Sequence, residues 1–175
     1  HETPAVLQAH RLRQLGHLAS HPEHELVLGL QQTFSLVPAA DPAAPPVPDF
    51  RPACFIYLVG CGVYRRAAFD RVGHFDETLR YSEDTDWFFR AWELATPMHI
   101  LLETMLHYRA HPGGMTHGRD AVAKGYLQVV KRSLDRRRRA AAATVGPDGQ
   151  PAPVRPFPWL LKQYTPDELK ALFAT

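Results

Sequence analysis

The chain has 175 residues, 45% of them hydrophobic and 22% charged, with Lys+Arg 20 against Asp+Glu 18. That profile fits one ordinary soluble domain and excludes a chain disordered throughout; the longest apolar run, Phe55 to Tyr64, is half the ~20 residues of a spanning helix and holds two glycines, which excludes a transmembrane helix. A net charge of +2 is far from the basic excess of a dedicated nucleic-acid binder, so no nucleic-acid partner is expected and any basic surface must be local.

From Pro4 to Ser20 the apolar residues Val6, Leu7, Leu12, Leu15 and Leu18 recur at helical spacing, with Thr3 as N-cap and Pro4 at the first helical position. His21-Pro22-Glu23 breaks this helix, because proline lacks an N–H and pushes the preceding residue out of the helical region. Glu25 to Phe34 reads as a strand of low polarity. Pro38 to Pro52 carries a large share of the 16 prolines and reads as an extended loop between two structured blocks.

Phe55 to Val59 is β-rich and ends at Gly60-Cys61-Gly62, which predicts a strand followed by a turn. A short helix is expected over Ala67 to Val72, with Gly73 as its C-terminal cap. Ser82-Glu83-Asp84 precedes a helical, aromatic segment from Thr85 to Leu94, with acids in the first turn where the helix dipole favours them and Pro97 beyond its end. Ile100 to Tyr108 reads as a strand, and His111-Pro112-Gly113-Gly114 as a turn. Asp120 to Arg139 predicts a long helix that ends in the basic run Arg136 to Arg139. Gly146 to Pro158 is proline and glycine punctuation, and Thr165-Pro166-Asp167-Glu168 has the spacing of a capping box at the start of a short terminal helix.

Cys54 and Cys61 lie within one apolar stretch, too few for a secreted disulfide framework or a zinc site, so a reducing cytoplasm is the expected compartment. The N-terminus shows no basic n-region followed by an apolar h-region, and the chain opens at His1 without a Met; a fragment of a longer protein is expected.

The chemistry-bearing residues concentrate between residues 72 and 116. Glu83, Asp84 and Asp86 sit together at a predicted helix start beside Trp87, Phe88 and Phe89. A carboxylate there either caps the helix or acts as a general base, the second only if its surroundings raise its basicity. The aromatic set reads as core, with Trp87 the exception. Gly60-x-Gly62 lacks the third glycine of a dinucleotide fingerprint and reads instead as a close backbone approach beneath an acceptor site. His10, His17, His21 and His24 include helical i,i+4 spacing, but Pro22 interrupts it and no acid or cysteine completes a metal site.

Four pieces occur in order: Gly60; the run Arg65-Arg66-x-x-Phe69-x-x-Val72-Gly73-x-Phe75-Asp76-Glu77; Glu83-Asp84-x-Asp86-Trp87; and Tyr108-Arg109-x-His111. Together they resemble the acceptor half of family 2 nucleotide-sugar glycosyltransferases, and the resemblance covers roughly residues 1–120. It implies an α/β fold, a partial GT-A-like three-layer α/β/α sandwich that lacks most of the N-terminal nucleotide-binding half. The implied division is a glycosyltransferase C-terminal half over 1–120, a basic helix over 121–145, and a Pro-rich tail with a short terminal helix over 146–175.

The implied activity is an inverting, one-step transfer of a sugar from a nucleotide-diphosphate donor to the hydroxyl of a glycan or lipid-linked acceptor, as in cell-envelope or exopolysaccharide assembly. By the same resemblance Asp84 matches the catalytic base. Glu83 and Trp87 match acceptor-binding positions, with Gly60 and Gly62 beneath them. Arg109 or Arg65 would neutralise the diphosphate, and His111 would approach its divalent metal, Mn or Mg. The Asp-x-Asp motif that holds that metal in the family belongs to the donor half and is not found upstream, so the metal is expected only with that half and the isolated chain is expected to be inactive. Sheet edges left open would favour self-association.

Two other classes are open: a non-catalytic glycan- or protein-binding module on the same fold, and an adaptor whose active surface is Lys131 to Arg139. A solvated helix end accounts for the Arg136–Arg139 run, and contact with anionic lipid at the inner face of a membrane is the alternative.

Overall fold

The computed structural model describes residues 4–114, 120–144 and 164–173. In chain order the elements are α1 (Pro4–Ser20), β1 (Leu26–Val37), β2 (Val47–Phe50), β3 (Gly62–Tyr64), α2 (Arg66–Val72), α3 (Glu83–Glu93), β4 (Met98–Arg109), α4 (Asp120–Ala143) and α5 (Pro166–Phe173). The chain is thus mixed α/β. Its residues divide into two compact units that interleave in sequence: the first takes residues 1–65, 97–118 and 162–175, the second 66–96 and 119–161.

The first unit is built on β1. Its opening run, Leu26-Val27-Leu28-Gly29-Leu30, is buried throughout, the pattern of a strand covered on both faces. β2 and β3 pair antiparallel with opposite ends of β1, with Phe34 opposite Phe50 and Leu26 opposite Tyr64. β4 pairs parallel with β1 from Leu26↔Met98 to Phe34↔Arg109, and so occupies the other edge. Two register shifts interrupt that ladder between Leu28 and Gln31. Gly29 lies inside them, and a Cβ there would sit 2.1 Å from Met105 Cγ, so the bulged strand approaches the backbone more closely than any side chain allows.

Two expectations change in this unit. The Pro-rich segment Pro38 to Pro52 holds strand β2, and Pro48 is tolerated there because an edge strand can spare one N–H. Phe55 to Val59 is not a strand. Cys54 and Phe55 make isolated bridges to Gln31 and Tyr164, a 3₁₀ turn follows over Val59–Cys61, and the strand comes later, at Gly62–Tyr64. β2, Cys54 and β3 therefore trace one edge of β1 in three short pieces.

Helix α1 packs on this sheet through only part of the predicted stripe. Leu12 and Leu15 are 60% and 50% exposed, whereas Gln14 and Leu18 are buried. Gln14 is accommodated because its Nε2 donates to Val27 O (3.2 Å) and Cys61 O (2.9 Å), so the buried amide is hydrogen-bonded. At the C-terminus, Thr165 Oγ1 accepts the Glu168 N–H while Glu168 Oε2 accepts the Thr165 N–H, the reciprocal capping box predicted for α5. The tail from 146 to 158 lies outside the described residues.

The second unit is helical. Gly73 ends α2 at φ +84°, its N–H donating to Phe69 O, as the sequence predicts for a C-terminal cap. Trp87, Phe88, Phe89 and Ala91 are buried, and the Trp87 ring meets Phe69, Phe75 and Phe88 at 5.2–6.1 Å. Helix α4, expected as a separate basic segment, belongs to this unit and packs against α3. No described helix is long and apolar enough to cross a membrane.

Candidate functional site

The first turn of α3 carries the three carboxylates, and the structure gives them different surroundings. Ser82 precedes the helix with φ +64° and makes no side-chain capping bond, so the acids rather than a serine hydroxyl mark this terminus. Asp86, two residues past Asp84, is 2% exposed. Its Oδ2 accepts Arg90 Nε at 2.9 Å and its Oδ1 accepts Arg136 Nη1 at 3.1 Å. Arg136 also holds Glu93 through Nε at 2.7 Å, and the Glu93 carboxylate accepts the Ser133 hydroxyl. Arg90 reaches on to Val72 O (2.6 Å) and His74 O (2.8 Å), the carbonyls at the end of α2. Asp86 is therefore the centre of a buried ion network that ties α2, α3 and α4 together.

Asp84 is half-buried and has no ion-pair partner among the described residues. Its Oδ1 accepts the Thr85 N–H at 2.8 Å. Burial is the main cause that raises its carboxyl above the usual aspartate value; the charge of Glu83 adds to the rise, and the Thr85 hydrogen bonds oppose it. This is the change in basicity that a general-base role requires and a capping role does not. Glu83 sits half-buried beside it at the first position of α3.

The remaining expected site residues have different fates. Trp87 is not the exception among the aromatics: it is buried, with its indole N–H donated to Gly73 O at 2.8 Å, and has no face left to stack on an acceptor. Arg65 spends its guanidinium on the first unit, donating from Nε to His24 O (2.9 Å) and from Nη2 to Leu18 O, which closes the end of α1. Gly62 is buried, and a Cβ there would fall 2.6 Å from Leu28 Cδ2 and 2.7 Å from the Tyr64 hydroxyl; the close approach it permits is to its own core. Gly60 is less tightly held, 3.4 Å from Leu106 Cδ2 by the same measure. Arg109, at the end of β4, and His111, in the turn closed by Gly114 N–H to His111 O, are exposed. Glu83, Asp84 and Trp87 belong to the second unit; Gly60, Gly62, Arg65, Arg109 and His111 belong to the first.

The basic run at the end of α4 is also divided. Arg136 is consumed by Asp86 and Glu93, and Arg137 is buried with its guanidinium 6.0 Å from the Trp92 ring centre, so only Arg138 and Arg139 are exposed. The four arginines do not form a common surface for lipid. Cys54 and Cys61 are free thiols, and burial pushes Cys61 up to about 12, which leaves it inert as a nucleophile.

The sequence reading missed one group. Among the described residues, the side chains whose donor atoms lie close enough to hold a metal are His17, His24 and His99. Burial first, then neighbouring imidazoles, lowers the pKa of His17 and of His99. The signal was out of reach in one dimension, because His99 joins the others only through the parallel register Val27↔His99.

Comparison with known proteins finds no match: no family model, curated protein or solved structure matches the chain.

Proposed function

We propose that the chain is the acceptor-side half of an inverting glycosyltransferase of GT-A type, with Asp84 as the base that takes the proton of the acceptor hydroxyl. In that reaction the acceptor oxygen attacks the sugar's anomeric carbon as Asp84 accepts its proton, and the bond to the nucleoside diphosphate breaks with its electron pair leaving on the phosphate. The observation that carries the reading is the separation of the two aspartates on one helical turn. Two carboxylates whose environments differ this sharply are the pattern from which acid and base assignments are made. Asp86 is neutralised by two arginines and is structural; Asp84 has no ion-pair partner among the described residues, and burial raises its proton affinity, the direction a general base needs.

Glu83 is the acceptor-positioning carboxylate in this reading. Arg109 and His111, in the first unit, are exposed, whereas Arg65 and Trp87 are given up as ligand contacts because each is engaged internally. A divalent ion held by a donor-binding half would supply the charge that stabilises the departing diphosphate. A binding module without catalysis is the second reading, and the internal commitment of Arg65 and Trp87 favours it.

The test is sugar transfer by this chain joined to its donor-binding half. Asp84→Asn abolishes most turnover under the enzymatic reading. Under the binding-module reading no transfer occurs in the parent, and glycan binding is indifferent to the substitution.

A further inference from the structure

Four histidine rings gather at the C-terminal end of α1. His17 lies in the last turn of that helix, His21 and His24 in the reversal that leads into β1, and His99 at the second residue of β4. The His17 ring stacks on His21 with centroids 4.1 Å apart and on His99 at 4.0 Å, and lies 5.1 Å from His24. His17 Nε2 and His24 Nδ1 are 3.0 Å apart, and one donor atom from each of His17, His24 and His99 can be chosen so that all lie within 4.8 Å of one another.

The backbone that carries these rings is fixed. His21 N–H donates to His17 O at 3.0 Å and His24 N–H to His21 O at 3.1 Å, which closes the reversal around Pro22. Arg65 donates to the carbonyls of Leu18 and His24, one on each side of the turn, and Glu25 N–H and Leu26 N–H donate to Pro97 O, two residues before His99. The cluster therefore rests on a helix end and two strand starts that are hydrogen-bonded to one another, not on a mobile loop.

We propose that His17, His24 and His99 form a binding site for a zinc-type divalent ion, which clamps the end of α1 to the start of β4. A zinc–imidazole bond is 2.0–2.1 Å, so tetrahedral ligand atoms stand about 3.3 Å apart. The His17–His24 pair, at 3.0 Å, is close to that spacing, and closing the third nitrogen onto it takes movement of up to about 1.5 Å, within reach of ring rotation. Three neutral nitrogens with no thiolate select zinc, nickel or copper over magnesium or calcium, which take oxygen donors. The Glu23 carboxylate lies 3.8 Å from His24 Nδ1 and is largely exposed, placed to offset the ion's charge. Because His111 is not among the three donors, this site is distinct from the Mn- or Mg-type ion that the glycosyltransferase reading associates with His111.

The experiment is titration of the metal-free chain, carried without a polyhistidine tag, with Zn²⁺ and with Co²⁺ as a visible probe. One equivalent binds tightly, the melting temperature rises with zinc and returns with chelator, and the ring signals of His17, His24 and His99 shift in the NMR spectrum of the parent protein. His99→Gln and His24→Ala each weaken binding by more than ~10-fold, a loss that even changes outside the ligand set can cause. His111→Ala and His74→Ala leave it unchanged. The parent-protein NMR result decides the matter if a variant does not fold. Absence of stoichiometric zinc uptake, uptake that survives His99→Gln, or ring shifts confined to His74, His107 or His111 overturns the proposal. Loss of zinc uptake with His111→Ala does the same, whereas failure of sugar transfer leaves the site untouched.

Discussion

Asp84 and Asp86 lie two residues apart on the first turn of α3, yet Asp86 is clasped by Arg90 and Arg136 while Asp84 meets no cation among the described residues. The difference arises from helical geometry. Position 86 shares a face with position 90 and is turned toward α4, where Arg136 waits fifty residues on. Position 84 is turned 200° away on the same helix, and its Oδ1 accepts both the Thr85 N–H and the Thr85 hydroxyl.

Removing the Asp86 charge should unfold the second unit readily. Asp86→Asn leaves Arg90 and Arg136 without their shared carboxylate, and loss of one partner from a buried network costs about 3–5 kcal/mol. Asp84→Asn at pH 4 changes stability by less than about 0.5 kcal/mol, because it removes no ion pair. Urea denaturation of the two variants checks the contrast, and equal losses would contradict it.

Trp87 is a core residue, and its variants should behave as core variants. Trp87→Ala opens a cavity among Phe69, Phe75 and Phe88 and costs about 3–5 kcal/mol. Trp87→Phe keeps most of the volume but leaves Gly73 O without its indole donor, a loss of about 1–2 kcal/mol. Thermal melts measure both; a Trp87→Ala protein as stable as the parent would show the ring to be a surface group.

Much of this was legible because it is local. The Thr165–Glu168 box and the Gly73 cap are set within a few residues, and each formed as its spacing predicts. The run from Leu26 to Leu30 names a covered strand by composition alone. What failed depends on distant partners. Phe55 to Val59 has strand composition, but the edge of β1 beside it is filled by Cys54 and then by β3, so its backbone passes without a ladder. Leu12 and Leu15 have helical spacing, but the face turned to the sheet is fixed by Gln14, whose amide satisfies two buried carbonyls. Arg136 read as a solvated charge because its two acids lie on another helix, more than forty residues earlier. Within the candidate site the sequence located Asp84 and Glu83 on the correct helix turn, while the engagements of Trp87 and Arg65 were not encoded in any spacing.

The raised Asp84 carboxyl has a defined consequence for stability. A group whose folded pKa exceeds its ordinary value of 3.8 binds its proton more tightly in the folded state, so its contribution is fully present below that value and is lost as pH rises through the folded pKa. Asp84→Asn removes this dependence. The variant and the parent should therefore match near pH 3.5 and diverge above it, with the variant the more stable by neutral pH. Denaturation midpoints between pH 3.5 and pH 7 measure the gap; a gap of the opposite sign would mean that the carboxylate is stabilised by a partner.

Turnover of Asp84→Asn, measured on this chain joined to its donor-binding half, tests the assignment most directly. General-base catalysis contributes about 10²–10⁴-fold, so kcat falls by that factor while the donor's KM holds and the melting temperature does not fall. Glu83→Gln, which keeps the base, loses less. Asparagine is as good a helix cap as aspartate, so a structural role for Asp84 predicts turnover within a few-fold of the parent, and that result would contradict the account.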